Sequence, residues 1–222
     1  MALRNDPPRL NQPPPAPALM SDALAELAAR GETRRYRKGT LLIQEGDFGD
    51  TLFIIFDGRL RTYSAGDNDR EITYGIYGPG EYIGEMSLDG GPRSASVITL
   101  QTSTCAVVGR RTLERFIAER PEFAFELLAK VIRRARSATH SARQLALNDV
   151  YGRLKELLLS LAVAQADGTQ RVADRLTHLE MSHRLGCSRE MVSRLLKDLE
   201  RGGYVAVQDQ RFVLMKALPA RW

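Results

Sequence analysis

Between Gly80 and Val97 the chain gathers a glycine turn, the carboxylate of Glu85, a run of backbone N–H groups starting at Met86, and one arginine, Arg93, followed by the small hydroxyl residues Ser94 and Ser96. Backbone N–H groups that converge on an anion hold it well, and a guanidinium adds a planar fork of donors. Gly84, Met86, Ser87, Leu88, Arg93 and Ser94 are therefore read as a phosphate site. Glu85 accepts hydrogen bonds and cannot donate them when ionised, so it suits a sugar hydroxyl.

A second set lies about a hundred residues further on. Thr177 and Glu180 stand three apart, the spacing of a capping box, and a helix of about two turns is predicted from there to Gly186. Ser188 caps a further helix, in which Val192, Leu195, Leu196 and Leu199 take positions i, i+3, i+4 and i+7 and face a core. The opposite face carries Arg189, Glu190, Ser193, Arg194 and Lys197. Arginine can take guanine O6 and N7 with two bonds, and glutamate can accept from a cytosine amino group. Helix, glycine turn, helix is the spacing that sets such a face into a major groove.

Charge placement agrees with this. Residues 1–120 carry 15 Lys/Arg against 16 Asp/Glu, 121–148 carry 5 against 2, and 149–222 carry 12 against 9. The surplus behind the net charge of +5 thus lies wholly in the C-terminal half.

Other chemistries lack their residues. Two cysteines, Cys105 and Cys187, are too few for a disulfide framework or a four-thiolate iron–sulfur centre and read as small core residues. No histidine precedes His140, so a metal site built from histidines inside a barrel has no ligands there. His140, His178 and His183 read as ordinary helix residues, and no nucleophile and base arrangement stands out, so an enzyme is not expected and no cofactor is required. No run approaches the roughly 18 apolar residues of a membrane span, and a cytoplasmic protein without membrane contact is expected.

The elements that must position these sets follow from the rest of the chain. Residues 1–20 hold six of the ten prolines and read as a disordered tail. From Ser21 a short helix runs towards Gly31. Up to Gly109 short β-branched and aromatic runs alternate with glycine turns: Leu41–Ile43, Thr51–Phe56, Arg59–Tyr63, Glu71–Tyr77, Tyr82–Ile83 and Ala95–Val108. A helix over 111–119 ends at Pro121, and a long one follows from about Glu122 to Asn148. On it Leu128, Val131, Ala135, Ala138, Ala142 and Leu145 alternate steps of three and four, the seam of a parallel homodimer coiled coil. Val150–Ala164 is predicted as one more helix, and strands Tyr204–Val207 and Arg211–Leu214 flank a tight Asp209-Gln210 turn. The expected fold is α+β: a tail over 1–20, a β-roll over 21–120, a dimerisation helix over 121–148 and a winged helix-turn-helix domain over 149–222.

The stretch from Gly80 to Val97 resembles the phosphate-binding cassette of cyclic-nucleotide-binding domains, and Leu185–Glu200 is similar to the recognition helix of the catabolite activator and fumarate-nitrate regulator (CRP/FNR) family of bacterial transcription regulators. The resemblance spans about residues 21–216. It implies a cytoplasmic homodimer that binds double-stranded DNA at palindromes of TGTGA-like half-sites, works with RNA polymerase and takes cyclic AMP as effector. It further implies that Arg189 and Glu190 contact bases, with Arg194 as a third reader and Thr177 and Ser188 near phosphates. In the cyclic-AMP sensors two adjacent hydroxyl residues on the long helix read the adenine; here the pair is Ala138-Thr139, so one hydroxyl is missing. Arg134 matches a family arginine near the nucleotide, and Arg133, Arg136 and Arg143 add charge that a second phosphate, as in cyclic di-GMP, would use. A member without ligand, and a nucleotide sensor acting through protein partners, are the other readings.

Overall fold

The computed structural model describes residues 20–66, 71–166 and 168–222. The predicted tail lies outside them except for Met20, which packs on the first core.

The opening helix α1, Asp22–Ala29, is capped by the Ser21 hydroxyl, which accepts from the Leu24 N–H. Its Leu24, Leu27 and Ala28 are buried against Leu52, Ile54, Phe116 and Phe123. Eight strands then follow: β1 (Glu32–Tyr36), β2 (Leu41–Ile43), β3 (Thr51–Asp57), β4 (Leu60–Ala65), β5 (Glu71–Tyr77), β6 (Tyr82–Ile83), β7 (Ser96–Thr99) and β8 (Ser103–Gly109). They form two four-stranded sheets, β1-β8-β3-β6 and β2-β7-β4-β5. The run Leu52 to Phe56 is buried at every position because it sits inside its sheet with both faces covered: Leu52, Ile54 and Phe56 join the α1 core, Phe53 and Ile55 the core between the sheets. Each such side chain contributes roughly 1.5–3 kcal/mol on burial.

The strand predicted over Ala95–Val108 is two strands in different sheets; the chain breaks at Leu100, whose N–H donates to the Arg59 carbonyl. Strand β1 gave no hydrophobic signal because Glu32 to Arg35 are all exposed on a sheet edge, where pairing with β8 holds them.

Helix α2, Arg110–Glu119, precedes α3, Glu122–Leu147. Helix α4, Val150–Leu161, starts at Asp149, whose side chain accepts from the Gly152 N–H. It is shorter than predicted. Ala162–Ala164 instead form β9, which pairs antiparallel with β10, Gln170–Val172. That partner overrides the helical preference of the alanines. Helices α5, His178–Leu185, and α6, Arg189–Arg201, and strands β11, Val205–Gln208, and β12, Arg211–Leu214, complete a sheet of order β11-β12-β10-β9. Asp209 and Gln210 both have positive φ, 49° and 61°, as a two-residue hairpin turn requires. One core joins Leu154, Leu158, Met181, Leu185, Val192, Leu196, Leu199, Phe212 and their neighbours.

The fold is thus α+β, a β-roll, a long helix and a winged helix-turn-helix. By contact the described residues separate into two compact units: the described chain up to Thr62 with Gly75–Leu128, and Tyr63–Tyr74 with Ala129–Trp222.

Candidate functional site

In the first unit the cassette is built on the end of β6. The Phe53↔Ile83 and Ile54↔Tyr82 pairs anchor it to β3, and Gly84 follows with φ 99°, turning the chain into a single 3-10 turn over Glu85–Ser87. Only glycine fits there. A Cβ on Gly84 would lie 2.5 Å from the Thr51 carbonyl oxygen and 3.0 Å from Arg93 Nη1.

Arg93 is 7% exposed, and its fork is bonded to the protein itself. Nη1 donates to the Gly84 carbonyl at 2.9 Å, and Nη2 donates to the carbonyl and to Oγ1 of Thr51 at 3.1 and 3.0 Å. Burial pulls the pKa of Arg93 down, while Asp50 and Glu85 oppose that shift, and the group stays a cation. Its backbone is pinned too: Arg93 N–H donates to the Asp47 carbonyl and Gly46 N–H to the Arg93 carbonyl. The cassette is therefore laced to the loop between β2 and β3. Sequence reasoning missed Gly49 and Thr51 as parts of this site, because their bonds to Ser87 and Arg93 reach across 38 and 42 positions.

The remaining cassette residues divide. Glu85 is buried, with 7% exposure, whereas Met86 and Ser94 are open to solvent. The Ser87 hydroxyl donates to the Gly49 carbonyl at 2.9 Å and to that of Gly84 at 3.3 Å, so it braces the loop. The N–H of Leu88, expected among the anion-binding amides, donates instead to the Glu85 carbonyl and closes the 3-10 turn. Arg134 and Thr139 lie on α3 within the second unit. Arg134 is half-buried, and the exposed Thr139 turns its hydroxyl onto the Ala135 carbonyl at 3.0 Å.

The seam residues of α3 are exposed along the chain apart from the half-buried Val131. Phe125, 74% exposed, and Ile132 widen the apolar stripe beyond the residues that heptad spacing selected.

The second unit holds α5 and α6. At the start of α5 the capping box is complete, the Thr177 hydroxyl accepting from the Glu180 N–H and the Glu180 carboxylate accepting from the Thr177 N–H. Gly186, φ 63°, ends α5, and Arg153 of α4 donates to the last carbonyl, that of Leu185, at 3.0 Å. Ser188 caps α6 by accepting from the Met191 N–H. Ser188, Arg189, Glu190, Arg194, Lys197 and Thr177 are all exposed, and Ser193 is half-buried. Bonds to the Glu190 carboxylate from its own backbone N–H, then from the Ser188 hydroxyl, hold its pKa below the usual carboxylate range, with Arg189 adding to the effect. An ionised acceptor thus stands beside an arginine at the head of α6, a pairing of groups whose chemistry suits a cytosine amino group next to a guanine edge. Two histidines read as ordinary helix residues have specific partners: His178 Nδ1 lies 2.8 Å from Ser193 Oγ, and His183 Nδ1 lies 3.4 Å from Glu71 of β5.

Among the described residues, no cluster of metal-ligating side chains and no helix long and apolar enough to cross a membrane is present. The sequence profile of the cyclic nucleotide-binding domain matches residues 33–120, and that of the Crp-like helix-turn-helix domain matches residues 152–219. The chain is 32% identical over 196 residues to a CRP-like cAMP-activated global transcriptional regulator of Mycobacterium tuberculosis, covering 86% of this chain and 88% of that one. It is 28% identical over 212 residues to the CRP-like protein Clp of Xanthomonas oryzae, covering 90% and 91%. Among solved structures it is similar to the c-di-GMP responsive global regulator CLP of Xanthomonas campestris, with a TM-score of 0.77 at 25% identity, over 88% of this chain and 99% of that chain.

Proposed function

This chain belongs to the CRP/FNR family of transcription regulators, and from that premise we propose that it is a homodimer that binds palindromic DNA when a cyclic nucleotide, cyclic AMP, occupies its β-roll. The family comprises DNA-binding regulators and no enzymes. The observation that carries the effector half is the Arg93 guanidinium held beside the positive-φ Gly84 and the buried Glu85. A cation next to a turn of backbone amides suits a phosphate, and a buried carboxylate suits a ribose hydroxyl. The relative from Mycobacterium tuberculosis, named as cAMP-activated, favours cyclic AMP.

The mechanism is a population shift. Nucleotide favours the dimer arrangement in which the two α6 helices stand about 34 Å apart, one DNA turn. Arg134 and Thr139 on α3 couple the ligand to that helix, and the exposed stripe of Leu128, Ala135, Ala138, Ala142 and Leu145 is the dimer seam. Arg189, Glu190 and Arg194 read bases, while Thr177, Ser188 and Lys197 bear on phosphates. The regulator acts in the cytoplasm, with RNA polymerase as its partner.

A second reading, cyclic di-GMP as effector, draws on the missing hydroxyl at Ala138, on Arg133, Arg136 and Arg143 along α3, and on the similarity to CLP. Calorimetry with cyclic AMP, cyclic GMP and cyclic di-GMP, paired with gel shifts on TGTGA palindromes, tests both. Tightest binding of cyclic AMP, with DNA affinity rising in its presence, supports the first reading. A preference for cyclic di-GMP replaces it with the second, and binding of none removes the effector half.

A further inference from the structure

The imidazole of His178 joins three elements of the second unit. It stands at the first position of α5, its ring stacks at 28° to that of Phe212 on β12 with centroids 6.4 Å apart, and its Nδ1 is 2.8 Å from the Ser193 hydroxyl on α6. Phe212 is buried in the core, so the ring is held in place from the wing side. Ser193 in turn follows Arg189 by one helical turn and precedes Arg194, on the face that carries Glu190 and Lys197.

A ring nitrogen and a hydroxyl at this distance share one proton. Either Ser193 donates to a bare Nδ1 and leaves its oxygen lone pairs outward, or Nδ1–H donates to Ser193 and leaves the hydroxyl proton free. A serine that shows only lone pairs can take an adenine or cytosine amino group; one that shows its proton can take guanine O6 or N7, or thymine O4. An unrestrained serine hydroxyl rotates to suit any of these and discriminates none.

We propose that His178 is a specificity-determining positioning residue: by fixing the direction of the Ser193 hydroxyl it sets which base Ser193 accepts in each half-site. This rests on the reading of α6 as the base-reading helix. It gives His178 a role in recognition without contact to the base.

The test uses the full chain with saturating cyclic AMP and a set of duplexes carrying every single base-pair change in a TGTGA palindrome. Ser193→Ala should flatten the preference at one symmetric base pair, and His178→Ala should flatten the same pair by about two- to tenfold, the range of one neutral hydrogen bond. The double variant should be no flatter than either single one. His178→Asn, which keeps a polar atom near the Nδ1 position, should restore most of the preference. A His178→Ala that lowers affinity for all duplexes equally, or adds to Ser193→Ala, overturns the proposal, as does His178→Asn behaving like His178→Ala. Arg189→Ala separates the two levels: if neither it nor the wild type distinguishes any duplexes, the base-reading assignment of α6 itself fails and takes this inference with it.

Discussion

Arg93 Nη1 donates to the carbonyl oxygen of Gly84 at 2.9 Å, and Gly84 has the left-handed φ of 99° that aims this carbonyl at the guanidinium. The two residues, nine apart, therefore hold each other in the cassette. Gly84→Ala should drive its methyl into the Thr51 carbonyl and lose about 1–3 kcal/mol of stability, together with nucleotide affinity. Arg93→Leu should lower nucleotide binding at least tenfold, a loss of roughly 2–4 kcal/mol, while non-specific DNA binding, which depends on the basic half, stays nearly unchanged. Calorimetry, gel shifts and urea denaturation read all three quantities, and wild-type nucleotide affinity in Arg93→Leu would reduce the cassette to a loop.

For the basic helix, Arg189→Ala should relax specificity at one base pair of each half-site by about 1–3 kcal/mol and leave nucleotide affinity as it was. Competition gel shifts against half-site variants measure it. An even loss across all sequences would move Arg189 from the bases to the phosphates.

The exposed seam of α3 predicts a dimer with or without nucleotide. Ala135→Glu or Ala142→Glu places like charges face to face across that seam and should dissociate it. Light scattering of the wild type at micromolar concentration should give the mass of two chains; a monomer there refutes the seam.

Under the proposed reading Thr139 would read the base without a second hydroxyl at Ala138, and in the structure the Thr139 hydroxyl bonds back to the Ala135 carbonyl within its own helix. Ala138→Thr should tighten cyclic AMP binding by about 1 kcal/mol. Weaker binding in this variant would mean that the site takes a different base or a larger ligand.

Cys105 is wholly buried in β8, and burial pushes its thiol up to about 12 from 9.0. The folded state therefore keeps the proton that the unfolded chain releases. Its contribution is intact below pH 9 and is lost as pH rises towards 12, with a slope approaching about 1.4 kcal/mol per pH unit. Across that window the wild type should lose stability relative to Cys105→Ala, which has no thiol to titrate, as denaturation midpoints of the two measure. In the native protein a thiol reagent should leave Cys105 unmodified until the chain unfolds.

Much of this molecule is local and hence legible in sequence. The capping box of Thr177 and Glu180, the left-handed Gly186, the Ser188 cap and the apolar face of α6 are set within a few residues of one another, by backbone and spacing alone. The same holds for the Asp209-Gln210 turn and for the helical spacing of the apolar residues along α3. What tertiary structure decided was every matter of a distant partner. Ala162–Ala164 are extended because β10 pairs with them, and the exposed charges of β1 form a strand because β8 does. The fork of Arg93 is directed to Thr51, forty-two positions away, and the ring of His178 to Ser193 because the turn between α5 and α6 brings them together. Spacing specifies which face a residue occupies. Only the packed chain specifies what meets that face, because hydrogen bonds between segments depend on the path between them and leave no periodic trace in either one.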